Sequence, residues 1–163
     1  MKGIVVYDTY YGNTKQVAEA IAEQIKAEGH EAELRSVKES YQTPPQGDFA
    51  FVGSPIRMKT ATRHTRKFVK KLDSSLWKGK PIAVFVTIGK PKDNPTDKDK
   101  ENFQKISIGP GLEFRDMIRE QGLSAYDQVL YVGVEDGWKG PLVKDGIETT
   151  KQFVHAFLQT LKK

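Results

Sequence analysis

Apolar residues gather in short runs along this chain, with polar stretches between them. Four runs are rich in Val, Ile and aromatics: Gly3 to Asp8 (GIVVYD), Asp48 to Gly53 (DFAFVG), Pro81 to Thr87 (PIAVFVT) and Gln128 to Val134 (QVLYVGV). None alternates strictly, which is the pattern of strands covered on both faces, as in a parallel sheet. A fifth, weaker run, Ala32 to Val37 (AELRSV), does alternate and suits a sheet edge. The segments between them carry a helical period. Thr14 to Glu28 sets Val17, Ala18, Ile21 and Ile25 on one stripe, and Gly29 ends it. Thr62 to Leu72 sets Thr65, Phe68, Val69 and Leu72 on one stripe. Gly111 to Gln121 follows Pro110 and stops at Gly122. Asp145 to Lys162 opens on a capping Asp145 with Glu148 three residues on. The link Lys38 to Gly47 reads as irregular or short-helical. This alternation predicts an α/β fold, a three-layer doubly wound five-stranded parallel sheet with right-handed crossovers.

Composition narrows the chemistry. The 163 residues fit one domain spanning 1–163. The absence of cysteine removes disulfides, thiolate metal sites and thiolate-held clusters. His30, His64 and His155 lie far apart without metal-ligand spacing, so no metal site is expected. The apolar run near the start is too short for a signal or a membrane span, and a cytoplasmic protein is the expectation. Net charge is +5, but residues 57–71 (RMKTATRHTRKFVKK) alone carry +7 and no acid. The remainder therefore carries −2. Such a segment suits an acidic partner or contact with an anionic membrane surface through Arg57 to Lys71. Its one aromatic, Phe68, lies on the apolar stripe, so nucleic-acid binding by base stacking is not expected. Lys90 to Asn102 (KPKDNPTDKDKEN) is neutral overall with two prolines, and reads as a solvated loop after a strand end.

In such sheets the ligand crevice lies outside the carboxyl ends of the strands, beside the first strand. Here that place is Thr9-Tyr10-Tyr11-Gly12-Asn13-Thr14, running into a helix start. Backbone N–H groups and the helix dipole favour an anion there, and Thr9, Asn13 and Thr14 add short polar donors. A plain cap, Asn13 with Gln16 three residues on, accounts for those two residues but not for six polar or small ones in a row. The stretch lacks the Gly-Lys-[Ser/Thr] ending of a Walker loop and the three glycines of a dinucleotide fingerprint. Asp8 stands without the second acid of a phosphorylated-aspartate receiver. A hydroxyl-rich cradle for a phosphate monoester remains.

The stretch Val5 to Ile21 (VVYDTYYGNTKQVAEAI) resembles the N-terminal signature of the flavodoxin family, and the element order resembles it over the whole chain. The resemblance implies strand order 2-1-3-4-5 and a resident FMN. It implies that Thr9, Tyr10, Tyr11, Gly12, Asn13 and Thr14 wrap the FMN phosphate. Loops after the third and fourth strands would hold the ring, here Ser54, Pro55, Ile56 and Arg57, then Thr87, Ile88, Gly89 and Lys90. Electron-carrying members surround the ring with a Trp, a Tyr and acids, whereas Ile56, Arg57, Met58 and Lys90 stand here. Trp138 is either a ring contact or a helix-packing residue. Reduction leaves negative charge on the ring, and a cation a few ångströms away is worth about 1–4 kcal/mol at intermediate dielectric. Arg57, Lys59 or Lys90 would therefore raise the potential above that of an acidic carrier.

The function this implies is electron transfer or flavin-dependent oxidoreduction, with an acidic redox partner protein or a small-molecule acceptor. The basic segment and the Lys-Pro insertion also resemble the flavodoxin-type, quinone-dependent protoporphyrinogen oxidases, which implies a substrate-specific enzyme as an alternative. A flavodoxin-fold module that has lost its flavin and binds only a partner is a third. No Ser/His/Asp or Cys/His arrangement suggests a catalytic acid or base.

Overall fold

Strand β1 (Lys2–Tyr7) leads into helix α1 (Asn13–Ala27), followed by β2 (Glu31–Ser36) and β3 (Phe49–Arg57) in a computed structural model that describes residues 1–39, 45–137 and 139–162. A two-residue strand β4 (Thr60–Ala61) precedes α2 (Arg63–Lys70) and a single turn α3 (Ser74–Trp77). Then come β5 (Pro81–Gly89), α4 (Asp97–Phe103), α5 (Gly109–Glu120), β6 (Ser124–Val134) and α6 (Gly146–Thr160). The long strands pair in parallel in the order β2-β1-β3-β5-β6, and β4 pairs antiparallel with the end of β3. With β4 set aside, this is the expected 2-1-3-4-5 order. Half of the expected irregular link (residues 40–44), together with Trp138, lies outside the described residues.

Successive strand residues enter two separate cores. Ile4, Val6, Ala50, Val52, Val84 and Val86 face α2, α3 and α5, where Phe68, Val69, Trp77, Phe114 and Ile118 meet them. Val5, Tyr7, Phe51, Phe85 and Val132 face α1 and α6, where Val17, Ile21, Val154 and Phe157 meet them. Burial on both faces explains why these strands read as apolar runs. Among the described residues no helix is long and apolar enough to cross a membrane.

Four local expectations need correction. First, β3 does not end at Gly53. It continues to Arg57 and turns back on β4, with Ile56 opposite Ala61 and Arg57 opposite Thr60. Met58 and Lys59 form the turn with φ of 51° and 65°. Positive φ at both positions is the requirement of a type I′ two-residue hairpin turn, normally met by Asn or Gly, so the sequence carried no turn signal here.

Second, the stretch expected as a solvated loop up to Asn102 becomes helical at Asp97. Thr96 accepts from the Asp99 N–H, and the Asp99 carboxylate accepts from the Thr96 N–H, closing a capping box. Third, Pro110 does not precede a helix start. The chain is already helical, and a π-helical turn (Gln104–Ile108) joins α4 to α5, with the Gly109 N–H reaching Gln104 O. The wider turn accommodates a proline that has no N–H to give. The Tyr131 hydroxyl donates to Ile108 O (2.7 Å) at this junction. Fourth, Asp145 makes no side-chain cap at α6, because its φ and ψ of −95° and 6° depart from the extended geometry a cap needs.

Gly53 is fixed by packing. A Cβ there would run into the Phe85 ring, which lies across the sheet in the core facing α1 and α6. Gly53→Ala is expected to destabilise the fold by about 1–3 kcal/mol through overpacking. Urea unfolding measures it, and Phe85→Leu should restore part of the loss in the double variant.

Candidate cofactor-binding site

The C-terminal ends of β1, β3 and β5 converge on the loop ahead of α1. Helix α1 begins without a side-chain cap. Its N-cap is Gly12, in the left-handed region at φ 91°, and not Asn13. The capping account of Asn13 is therefore set aside: Asn13 is the first helical residue and buried. The first amides of a helix have no intrahelical partner, and here no side chain takes the cap position. The Thr9 hydroxyl folds back to accept from the Gly12 N–H (2.9 Å), which sets the loop's curvature. Thr14 and Thr87 meet hydroxyl to hydroxyl at 2.8 Å, tying α1 to the end of β5. One of those two protons bridges the oxygens, and the other remains to be donated elsewhere.

A buried polar network lies beneath the loop. Asp8 is 5% exposed, and each of its oxygens has a donor: Thr9 N–H at 3.0 Å and Thr62 hydroxyl at 2.6 Å. The Thr62 N–H donates to Ser54 Oγ (2.9 Å), and the Ser54 hydroxyl donates to Pro55 O (2.8 Å). Thr62 also caps α2 and pairs with the Thr65 hydroxyl at 2.7 Å. The network locks the first loop, the end of β3 and the start of α2 into one frame.

Two adjoining hollows open above this frame. The narrow one is lined by the loop residues Thr9, Tyr10, Tyr11, Asn13 and Thr14, and opposite them by Pro55, Ile56, Arg57 and Thr87. The second is a cavity of about 520 Å³. Ile56, Met58 and Lys59 form one side of it, Gly89, Lys90 and Lys92 another, and Asn102, Phe103 and Ile106 the outer wall. Ile56 and Gly137 border both. The sequence-derived residues thus come together, with three exceptions. Gly12 shapes the loop without lining a hollow, Ser54 is wholly buried in the network, and Ile88 packs into the core.

Sequence reasoning missed Asp8 as a support, Thr62, Gly137 and the helical outer wall. Only the T-x-x-D spacing at Thr96 pointed to that wall. Arg57 faces the narrow hollow, its Cζ 4.7 Å from the Tyr10 ring centroid. Lys59 and Lys90 face the large cavity. Lys90 is paired with Glu135 at 2.7 Å, and the hydrogen bond it donates to that carboxylate holds its ammonium above the usual lysine range. The pair's contribution to stability is present below the ordinary lysine pKa and fades only as pH climbs through the raised one. Among the described residues, no group of three or more His, Asp or Glu side chains could hold a metal ion.

The donor set fits a phosphate monoester, with uncapped helix amides, threonine hydroxyls and a neighbouring guanidinium. The profile of a family described as Flavodoxin domain matches residues 4–113. A curated protein named flavodoxin, from Aquifex aeolicus (strain VF5), is 34% identical over 93 residues, 54% of this chain and 50% of that protein. The chain spans about half the length of this curated relative. Among solved structures, a flavodoxin from the domain Archaea is similar at 20% identity and a TM-score of 0.69, each chain covered in full. Oxidised flavodoxin 1 from Bacillus cereus is similar at 17% identity and a TM-score of 0.69, with 98% of each chain covered.

Thr62→Val leaves one oxygen of the buried Asp8 without its donor, and Asp8→Ala takes away the acceptor of the Thr62 hydroxyl in a buried network. Asp8→Ala and Thr62→Val are each expected to lower stability by about 1–3 kcal/mol. Chemical denaturation of the double variant should show a smaller loss than the two single losses combined.

Proposed function

Because the chain belongs to the flavodoxin family, whose fold implies a flavin, we propose that it binds FMN at the C-terminal edge of its sheet and transfers electrons. The observation that carries this reading is the start of α1, an uncapped helix turn entered through a left-handed Gly12 and flanked by the Thr9 and Thr14 hydroxyls. A phosphate there would receive the amides of the first turn. Tyr10, Tyr11 and Asn13 would line its approach, and Thr87 would hold Thr14 in place. The ring would lie toward the larger cavity, among Ile56, Met58, Gly89, Lys90 and Gly137.

When bound, the flavin accepts and releases the electrons. The chain's residues bind it, exclude water and set the charge around it. Lys59 lines the cavity without an ion pair among the described residues, whereas Lys90 is offset by Glu135. The partner we propose is an acidic redox protein. Arg63 and Lys70 on α2 make no ion pair among the described residues, and with Lys59, which lines the larger cavity, they belong to the acid-free segment 57–71.

Purification tests the reading. The protein should be yellow, and mass spectrometry of the material released on denaturation should give FMN. A colourless protein that neither FMN nor another flavin reconstitutes would contradict it. Redox titration of the loaded protein checks the charge argument. Lys59→Met should lower the potential and Glu135→Gln should raise it, each by on the order of tens of millivolts, since both groups are partly screened.

A further inference from the structure

Arg57 is the last residue of β3 and stands directly before the Met58-Lys59 turn. It lines the narrow hollow together with Thr9, Asn13 and Thr14, and it does not border the larger cavity. Its guanidinium rests over the ring of Tyr10, which belongs to the loop ahead of α1. This cation–π contact places the guanidinium at the loop end of the cleft.

The groups that converge there are donors. They are the amides opening α1, the Thr14–Thr87 hydroxyl pair and the Arg57 guanidinium. The one buried carboxylate beneath them, Asp8, already has a donor on each oxygen. A neutral alcohol brings its own proton and little charge to such a set, whereas a phosphate brings acceptor oxygens and negative charge.

We propose that Arg57 pairs with the terminal phosphate of the bound flavin and makes the site selective for a phosphorylated flavin over riboflavin. The proposal rests on the FMN reading above. It assigns Arg57 to the phosphate end, where the sequence alone suggested an influence on the ring.

The test is a fluorescence-quenching titration of flavin-stripped protein with FMN and, separately, with riboflavin. Wild type, Arg57→Met and Arg57→Lys are compared. The preference for FMN over riboflavin should fall about tenfold or more in Arg57→Met, as expected for losing a charge-assisted contact. Riboflavin affinity should hold steady, which also reports that the variant is folded. Arg57→Lys should recover part of the preference, since lysine keeps the charge but not the planar fork. A preference that ignores Arg57, or an equal loss for both flavins, overturns the proposal while leaving the FMN reading in place. A wild-type protein that binds neither flavin overturns both.

Discussion

Burial of the sheet on both faces is the constraint on which the rest of this structure depends. Ile4 and Val6 enter one core while Val5 and Tyr7 enter the other, so the central strands β1, β3 and β5 have no side left for polar work over their buried lengths. Chemistry is confined to the strand ends. At the end of β1 the chain passes from Tyr7 to Asp8, from apolar core to buried carboxylate, in one residue. Asp8 is tolerated because Thr9 and Thr62 satisfy it, and Thr62 carries the connection to Ser54 on β3. The same hydrogen bonds that make a buried charge acceptable fix the first loop against the hairpin wall. A site supported in this way is preorganised before any ligand arrives.

The helix starts show where the fold has left an interaction open. Thr62, Asp73 and Thr96 cap α2, α3 and α4 with their side chains. Neither α6 nor α1 has such a cap; the start of α1 is the one that borders the narrow hollow, and a good cap is typically worth about 0.5–2 kcal/mol. An anion at that turn would supply what the missing cap does not, and its binding would stabilise the folded chain by mass action. Two irregular backbone segments border the neighbouring cavity: the positive-φ turn at Met58 and Lys59, and the π-helical turn containing Ile106. Such features concentrate where function requires a particular wall shape.

Much of this was legible in the sequence, for a physical reason. Strands buried on both faces leave dense Val and Ile runs, so the cores of β1, β3, β5 and β6 stood out. The first four residues of β6, Ser124 to Asp127, did not, because they are polar or partly exposed and join β5 through a register shift. The loop from Thr9 to Thr14 was legible because several constrained positions had to agree at once. Thr62 was not, because the hydrogen bond joining it to Asp8 spans 54 residues and leaves no local pattern. The hairpin was hidden by Met58 and Lys59 in a turn that Asn and Gly usually occupy. The outer wall was hidden by its own charges, since Asp97 to Asn102 reads as solvated chain, and Pro110 reads as a start although it lies inside continuous helix.

The central claim is that the uncapped start of α1 is a phosphate seat and that the hollow beside it receives the flavin ring. A crystal structure of the protein grown with FMN measures this most directly. The account predicts phosphate density within hydrogen-bonding distance of the first amides of α1 and the Thr14 hydroxyl, with the ring between Ile56 and Lys90. Flavin bound elsewhere on the surface, or a phosphate that turns away from the start of α1, would contradict it.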